Sequence, residues 1–172
     1  MSPMPDLLFQ KFIARHKLAT CAMHVEHQIT IAASPRVIFQ IYADVSNWHT
    51  WDPDTRKASL DGPFEIGTRG RLTPTQGNTV PMLLTELVAD RCFTVESRIP
   101  LFRMCFEHEL SPVAGNTEVT HRVTFSGLLS VVLGPMLCKR LNAGLPVTLA
   151  RLKAMAESGE RKALGQMGAP PR

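Results

Sequence analysis

The chain lacks the marks of several common classes. No block of lysine and arginine forms a basic stripe, and the net charge is only +4, so a nucleic-acid partner is not expected. The four cysteines, Cys21, Cys92, Cys105 and Cys138, form no CxxC pair and fit no zinc spacing. Their placement, mostly inside apolar runs, argues against a disulfide framework and for a reducing, cytoplasmic setting. No apolar run approaches the roughly 20 residues that span a bilayer, so no integral membrane segment is expected. The start lacks the apolar core of a secretory signal. Gly62 to Gly67 is not followed by a Lys-Ser/Thr pair, which excludes a phosphate loop, and Ser126 and Ser130 sit in no nucleophile elbow. No internal repeat or low-complexity segment is present, and nothing calls for a cofactor.

What is present is enough apolar residue for a core and a pocket: 44% of the 172 residues are hydrophobic and 20% are charged. The length fits one domain with tails. Residues 1–23 read as a leader, disordered or a short amphipathic helix, in which Leu7, Leu8, Phe9, Phe12 and Ile13 share a face apart from Lys11, Arg15 and Lys17. Residues 24–158 read as the domain and 159–172 as a disordered polar tail.

Within the domain, Val25, His27, Ile29 and Ile31 alternate with polar residues, the period of a half-buried strand. Ser34-Pro35 supplies an N-cap and a first-turn proline for a helix carrying Val37, Ile38, Ile41 and Tyr42. Asp44 to Trp51 forms a second short helix that Pro53 stops. Six strand-like runs follow, over 56–60, 68–72, 80–87, 93–99, 102–110 and 117–126, joined by turns rich in Gly, Pro, Asn and Asp. Leu137, Leu141, Leu145, Thr148, Leu152 and Met155 then recur at helical spacing. Gly134-Pro135 delays or bends the start of that helix, and Pro146 kinks it near Gly144. A curved sheet closed by one helix touches it along part of its surface only, and the remaining space is a pocket.

The pieces of this pattern resemble the START/Bet v 1-like (SRPBCC) superfamily, and within it the polyketide cyclase/dehydrase and lipid-transport group. The matching residues are Ala33-Ser34-Pro35 with Val37 and Phe39, Asp44-Val45-Ser46-Asn47-Trp48 with Trp51, and Asp61-Gly62-Pro63-Phe64 with Gly67-Thr68. They continue through His108-Glu109-Leu110, Thr120-His121-Arg122-Val123, Phe125-Ser126-Gly127 and Leu145-Pro146 to Leu152-Lys153. The resemblance implies an α+β helix-grip fold: a curved antiparallel sheet, in β-α-α-β6-α order, wrapped around a long C-terminal helix over a deep hydrophobic cavity. It carries no universal catalytic motif, and fold alone does not establish function.

Two constellations bear on chemistry. Phe102, Met104, Phe106, His108 and Leu110 share one strand face, and Val119, His121, Val123 and Phe125 share one face of the next. A loop over 113–116 pairs Pro112 with Thr117 and sets His108 opposite His121, both directed inward, with Cβ atoms about 5 Å apart. The pair can orient a polar ligand group, act as an acid/base couple, or simply line a passive pocket. Two histidines without a third ligand make a poor metal site. Tyr42, Trp48 and Trp51, with His49 and Asp52 nearby, wall the pocket mouth or pack as a helix cluster. Arg69 and Arg71 either reach inward to a ligand carboxylate or stay solvated.

The expected function is therefore binding of a hydrophobic or aromatic small molecule, such as a lipid, polyketide or quinone-like compound. Trp51, Met82, Leu84, Phe93, Val95, Met104, Phe106, Val123, Phe125, Leu141 and Leu145 supply apolar contact, and His108 and His121 hold a polar end. The alternatives are a cyclase or dehydratase that uses the two histidines catalytically, and a protein-partner-binding module. The chain is expected as a monomer or homodimer.

Overall fold

The computed structural model describes residues 23–167; residues 1–22 of the leader expected over 1–23 and the final five residues lie outside the described part, and Met23 already belongs to the first strand. Strand β1 (Met23–Ile31) leads into helix α1 (Pro35–Ala43) and a short 3-10 helix (Val45–Thr50). Strands β2 (Thr55–Leu60), β3 (Arg69–Pro74), β4 (Val80–Val88), β5 (Cys92–Ile99), β6 (Phe102–Val113) and β7 (Asn116–Ser126) follow, and helix α2 (Ser130–Met167) ends the domain. The element order is the expected one, and the class is α+β helix-grip.

All seven strands form one antiparallel sheet in the order β1-β7-β6-β5-β4-β3-β2. Strands β2 to β7 are a meander, as short turns dictate, and β1 returns to pair with β7. The β6–β7 hairpin keeps the register read from its sequence: Pro112 faces Thr117 and His108 faces His121. Pairing runs one step further than expected, to Val113 and Asn116, and leaves a two-residue turn. Its residues Ala114 (φ 48°) and Gly115 (φ 80°) are both left-handed, the geometry that matches the twist of the flanking strands.

Two apolar clusters flank the sheet's concave face. One gathers Tyr42, Val45, Trp48, Trp51, Phe93 and Leu110 with Leu149 and Leu152 of α2. The other gathers Val25, Phe102, Val123 and Phe125 with Leu145, and Leu129, Leu133, Leu137 and Leu141 cover it. Helix α2 thus anchors the fold near both of its ends, and a cavity lies between the anchors.

Two features of α2 differ from expectation. Gly134-Pro135 does not delay it: the helix begins at Ser130 and runs through both Pro135 and Pro146. It also continues through Gly159 to Met167, so the tail boundary expected at 159 falls inside the helix. On either side of Gly159, Glu157 accepts a hydrogen bond from the Ala32 amide (3.0 Å), and Glu160 accepts from the Ser34 amide (3.3 Å) and hydroxyl (3.2 Å). These polar contacts hold a segment whose composition resembles a tail. Pro146 is exposed and has no N–H for the Asn142 carbonyl, a defect costing about 3 kcal/mol in an ordinary helix. Pro146→Ala is therefore expected to raise stability by about 1 kcal/mol or more in urea denaturation. A loss would show that the cavity depends on the proline's geometry.

Candidate functional site

The cavity has a volume of about 350 Å³, inside the range of roughly 300–1,000 Å³ usual for small-molecule sites. Strands β3 to β7 form its wall, the 3-10 helix and its exit form one end, and residues Leu137 to Thr148 of α2 form its roof. The loop Gln76-Gly77-Asn78 faces α2 across the mouth.

Of the residues expected to line it, Trp51, Met82, Val95, Met104, Phe106, His108, His121, Leu141 and Leu145 do so. Leu84, Phe93, Val123 and Phe125 do not, and each has a packing reason. Leu84 bonds through its backbone to Gly67 and Thr68 and is buried where the β2–β3 loop closes the sheet. Phe93 lies flat against His108, ring centroids 4.0 Å apart and 3° between planes, and is backed by Phe64 and Tyr42. Val123 and Phe125 are sealed in the second apolar cluster beneath the first turns of α2. Arg69 and Arg71 point to solvent, and His49 lies on the surface beside Ser46.

The polar floor rests on an element that sequence spacing does not connect to it. Tyr42 does not wall the mouth. It is fully buried on α1, and its hydroxyl lies 2.7 Å from His121 Nε2. The Trp48 indole donates to the Tyr42 carbonyl (2.8 Å) and so fixes the end of α1. The phenol hydrogen has no other acceptor in reach, and a buried hydroxyl left unpaired costs about 1–3 kcal/mol. Tyr42 is therefore the donor, and His121 carries its own proton at Nδ1. That nitrogen makes no protein hydrogen bond and is not among the sealed polar atoms, so it opens on the cavity the ring lines.

His108 lies beside it, with ring centroids 4.5 Å apart and planes at 76°. His108 is part-buried and lines the cavity. Burial pushes its pKa down to about 3 and pushes that of His121 well below the usual histidine value, with His108 adding to the second shift. Burial also raises the Tyr42 pKa. At neutral pH all three groups are uncharged. Among the described residues two buried polar atoms remain without partners, His108 Nδ1 and the Trp51 indole nitrogen, and both belong to rings that line the cavity.

The cross-strand row has a third member, His27, which faces His121 from β1. It donates from Nε2 to the Asn142 side chain of α2 (3.0 Å) and so ties β1 to the helix. Its position on the inward face of β1 was visible in the alternation; its partner was not. At the mouth, Asp52 accepts from Thr55 (2.6 Å), from the Asp54 amide (3.1 Å) and from Thr148 (3.0 Å). Burial nonetheless raises its pKa. Arg140 is engaged by Asp54 (3.4 Å). Among the described residues no group of three His, Cys, Asp or Glu side chains is placed to hold a metal ion. No helix among them is long and apolar enough to cross a membrane.

A curved sheet gripping a long helix over an apolar cavity defines the class, and comparison with known proteins agrees. Residues 22–157 match the model of the polyketide cyclase/dehydrase and lipid transport family, and the chain belongs to that family. The fold is shared with the Zhui aromatase/cyclase from Streptomyces sp. R1128, at 20% identity and TM-score 0.66 over 79% of this chain and 94% of that one. It is shared equally with a START superfamily protein from Mycobacterium smegmatis, at 18% identity and TM-score 0.64 over 78% and 97%. TTHA0849 from Thermus thermophilus superposes with TM-score 0.64 at 17% identity, over 80% and 99%. No match was found among curated protein sequences. At such identities the likeness establishes the fold alone.

The buried histidines make acid stability a readout of the floor. The unfolded chain binds a proton at His108 near pH 6.5, whereas the folded ring resists it down to about 3. Stability is then complete above pH 6.5 and falls as pH drops between those values, by about 1.4 kcal/mol per pH unit for this group. His108→Phe, which keeps the stack on Phe93, is expected to reduce the slope in urea titrations between pH 6.5 and 5, leaving the share of His121. An unchanged slope would mean that His108 is hydrated.

Proposed function

We propose that the chain binds a hydrophobic or aromatic small molecule in this cavity, with an uncharged polar end seated between His108 and His121. The observation that carries the reading is the polar floor of an otherwise apolar cavity. His121 offers a donor at Nδ1, oriented by Tyr42. His108 has Nδ1 sealed without a hydrogen-bond partner. Its neutral ring has one N–H and one bare nitrogen, so it can meet a ligand group as donor or as acceptor. A donor at His121 beside such a ring suits a hydroxyl, an enol or a carbonyl–hydroxyl pair. A carboxylate finds no free cation on the described walls, because Arg140 is held by Asp54. The partner is thus a neutral small molecule, and a cytoplasmic carrier or sensor is the setting we favour.

The second reading is a cyclase or dehydratase. It is favoured by the same pair seen as chemistry: a phenol-backed imidazole that can give a proton at Nδ1 and take one from Tyr42 at Nε2, beside a neutral imidazole able to accept one. The likeness to an aromatase/cyclase supports it at the level of fold only. The cavity volume speaks against a module that only binds protein partners, because such a module needs no cavity of ligand size.

Native mass spectrometry of the chain purified from its own host, followed by solvent extraction, tests the reading. A bound neutral molecule carrying a hydroxyl or carbonyl group is expected, and His108→Ala should lower its occupancy about tenfold, the loss of one buried hydrogen bond. Recovery of a fatty acid instead would contradict it. Unchanged binding in His108→Ala with loss of turnover would favour the enzyme.

A further inference from the structure

One end of the molecule keeps apolar side chains in solvent that the fold does not use. Helix α2 opens Ser130-Val131-Val132-Leu133-Gly134-Pro135-Met136-Leu137, apolar on nearly every face. Leu129, Leu133, Leu137 and Leu141 take the inward stripe and cover the second core cluster. Leu128, Val132 and Met136 form a parallel stripe on the outside, with Val131 beside it. An amphipathic surface helix ordinarily carries polar residues there.

The β5–β6 turn extends this stripe. Leu101 accepts a hydrogen bond from the Leu129 amide (3.0 Å), so the turn lies against the entry to α2. Leu101 has φ +64°, a left-handed conformation that glycine or asparagine adopts at low cost and a leucine does not. The turn therefore carries strain together with an exposed apolar side chain. Leu101, Leu128, Val131, Val132 and Met136 are each between 60% and 77% exposed. Together they form a contiguous patch of the kind that marks an interaction site.

The charges around the patch have one sign. Between Glu118 and Glu157 the sequence has no acidic residue, and none between Glu96 and Glu107. Lys139 is exposed one turn beyond Met136. Arg98 and Arg103 flank the turn and share the single buried carboxylate of Glu96, which leaves one positive charge in excess.

We propose that this end of the molecule, formed by the first turns of α2 and the β5–β6 turn, docks on an anionic lipid surface. The apolar stripe enters the interface, and Lys139, Arg98 and Arg103 meet the headgroups. A second copy of the chain fits less well. A two-fold contact apposes the same patch on both copies, so it would set these cations against each other with only the already shared Glu96 among them. Docking here also brings one end of the cavity roof close to the surface, because Leu137, Arg140 and Leu141, which line the cavity, follow Met136 on α2. The inference stands apart from the identity of the cavity ligand.

Sedimentation of the full chain with phosphatidylcholine vesicles, with and without phosphatidylglycerol, is the test. The chain should partition onto the anionic vesicles, and salt should weaken the binding. The triple variant Leu101→Asn, Val132→Gln and Met136→Gln should lose binding about tenfold or more. Because asparagine tolerates the left-handed turn, its thermal midpoint should not fall. Lys139→Glu should weaken binding about fivefold or more. The proposal fails if the wild-type chain ignores anionic vesicles, or if the triple variant binds as the wild type does. It fails equally if sedimentation velocity shows a wild-type dimer that the triple variant breaks.

Discussion

The hydrogen bond from Tyr42 to His121 holds the site together. It joins α1 to β7 through a fully buried contact, and three consequences follow from its geometry. It assigns the proton on His121 to the nitrogen that faces the cavity. It keeps that ring neutral, since a proton on Nε2 would have to displace the phenol hydrogen in a site where burial disfavours charge. It also places the Tyr42 ring against Phe93, His108 and Trp51, so that the aromatic end of the core is built around one phenol.

The rest of the architecture keeps space open above that floor. Helix α2 covers the second apolar cluster with its first turns and meets the first cluster through Leu149 and Leu152, and residues between Leu137 and Thr148 also line the cavity. The intervening stretch holds Gly144 and Pro146, the two residues least suited to a helix interior. Gly144 also has a local use: a Cβ there would meet the Asp54 carboxylate at 2.5 Å, so its absence lets Asp54 sit against the helix beside Arg140. Asn142 reaches back to His27 in the same stretch. The roof is thus held to the wall by polar contacts at the mouth and apolar contacts at the ends, which leaves its middle free to line a pocket.

Much of this was legible in the residues. The alternation along β6 and β7, with Pro112 and Thr117 at the turn, was enough to set His108 opposite His121, because a one-residue slip would turn both apolar faces outward. Helical spacing in α2 identified Leu141 and Leu145 as facing the cavity. The Tyr42–His121 bond was not legible, since it joins residues 79 positions apart on a helix and a strand. Alternation says which face a residue takes but not what lies above it. For that reason Val123 and Phe125 share the inward face with His121 and yet lie under the helix rather than in the cavity. The polar stretch after Gly159 misled for the opposite reason, because Glu160 is held by the Ser34 amide before α1, a contact that no local pattern reveals.

The central claim is that the cavity floor is a pair of uncharged imidazoles, with the His121 tautomer set by a buried phenol. Nitrogen-15 NMR of the histidine rings tests it most directly. The account predicts that His121 shows a protonated Nδ1 and a bare Nε2, and that its shifts and those of His108 stay constant from pH 8 to pH 5. A His121 ring protonated at Nε2, or either ring titrating near pH 6.5, would contradict it.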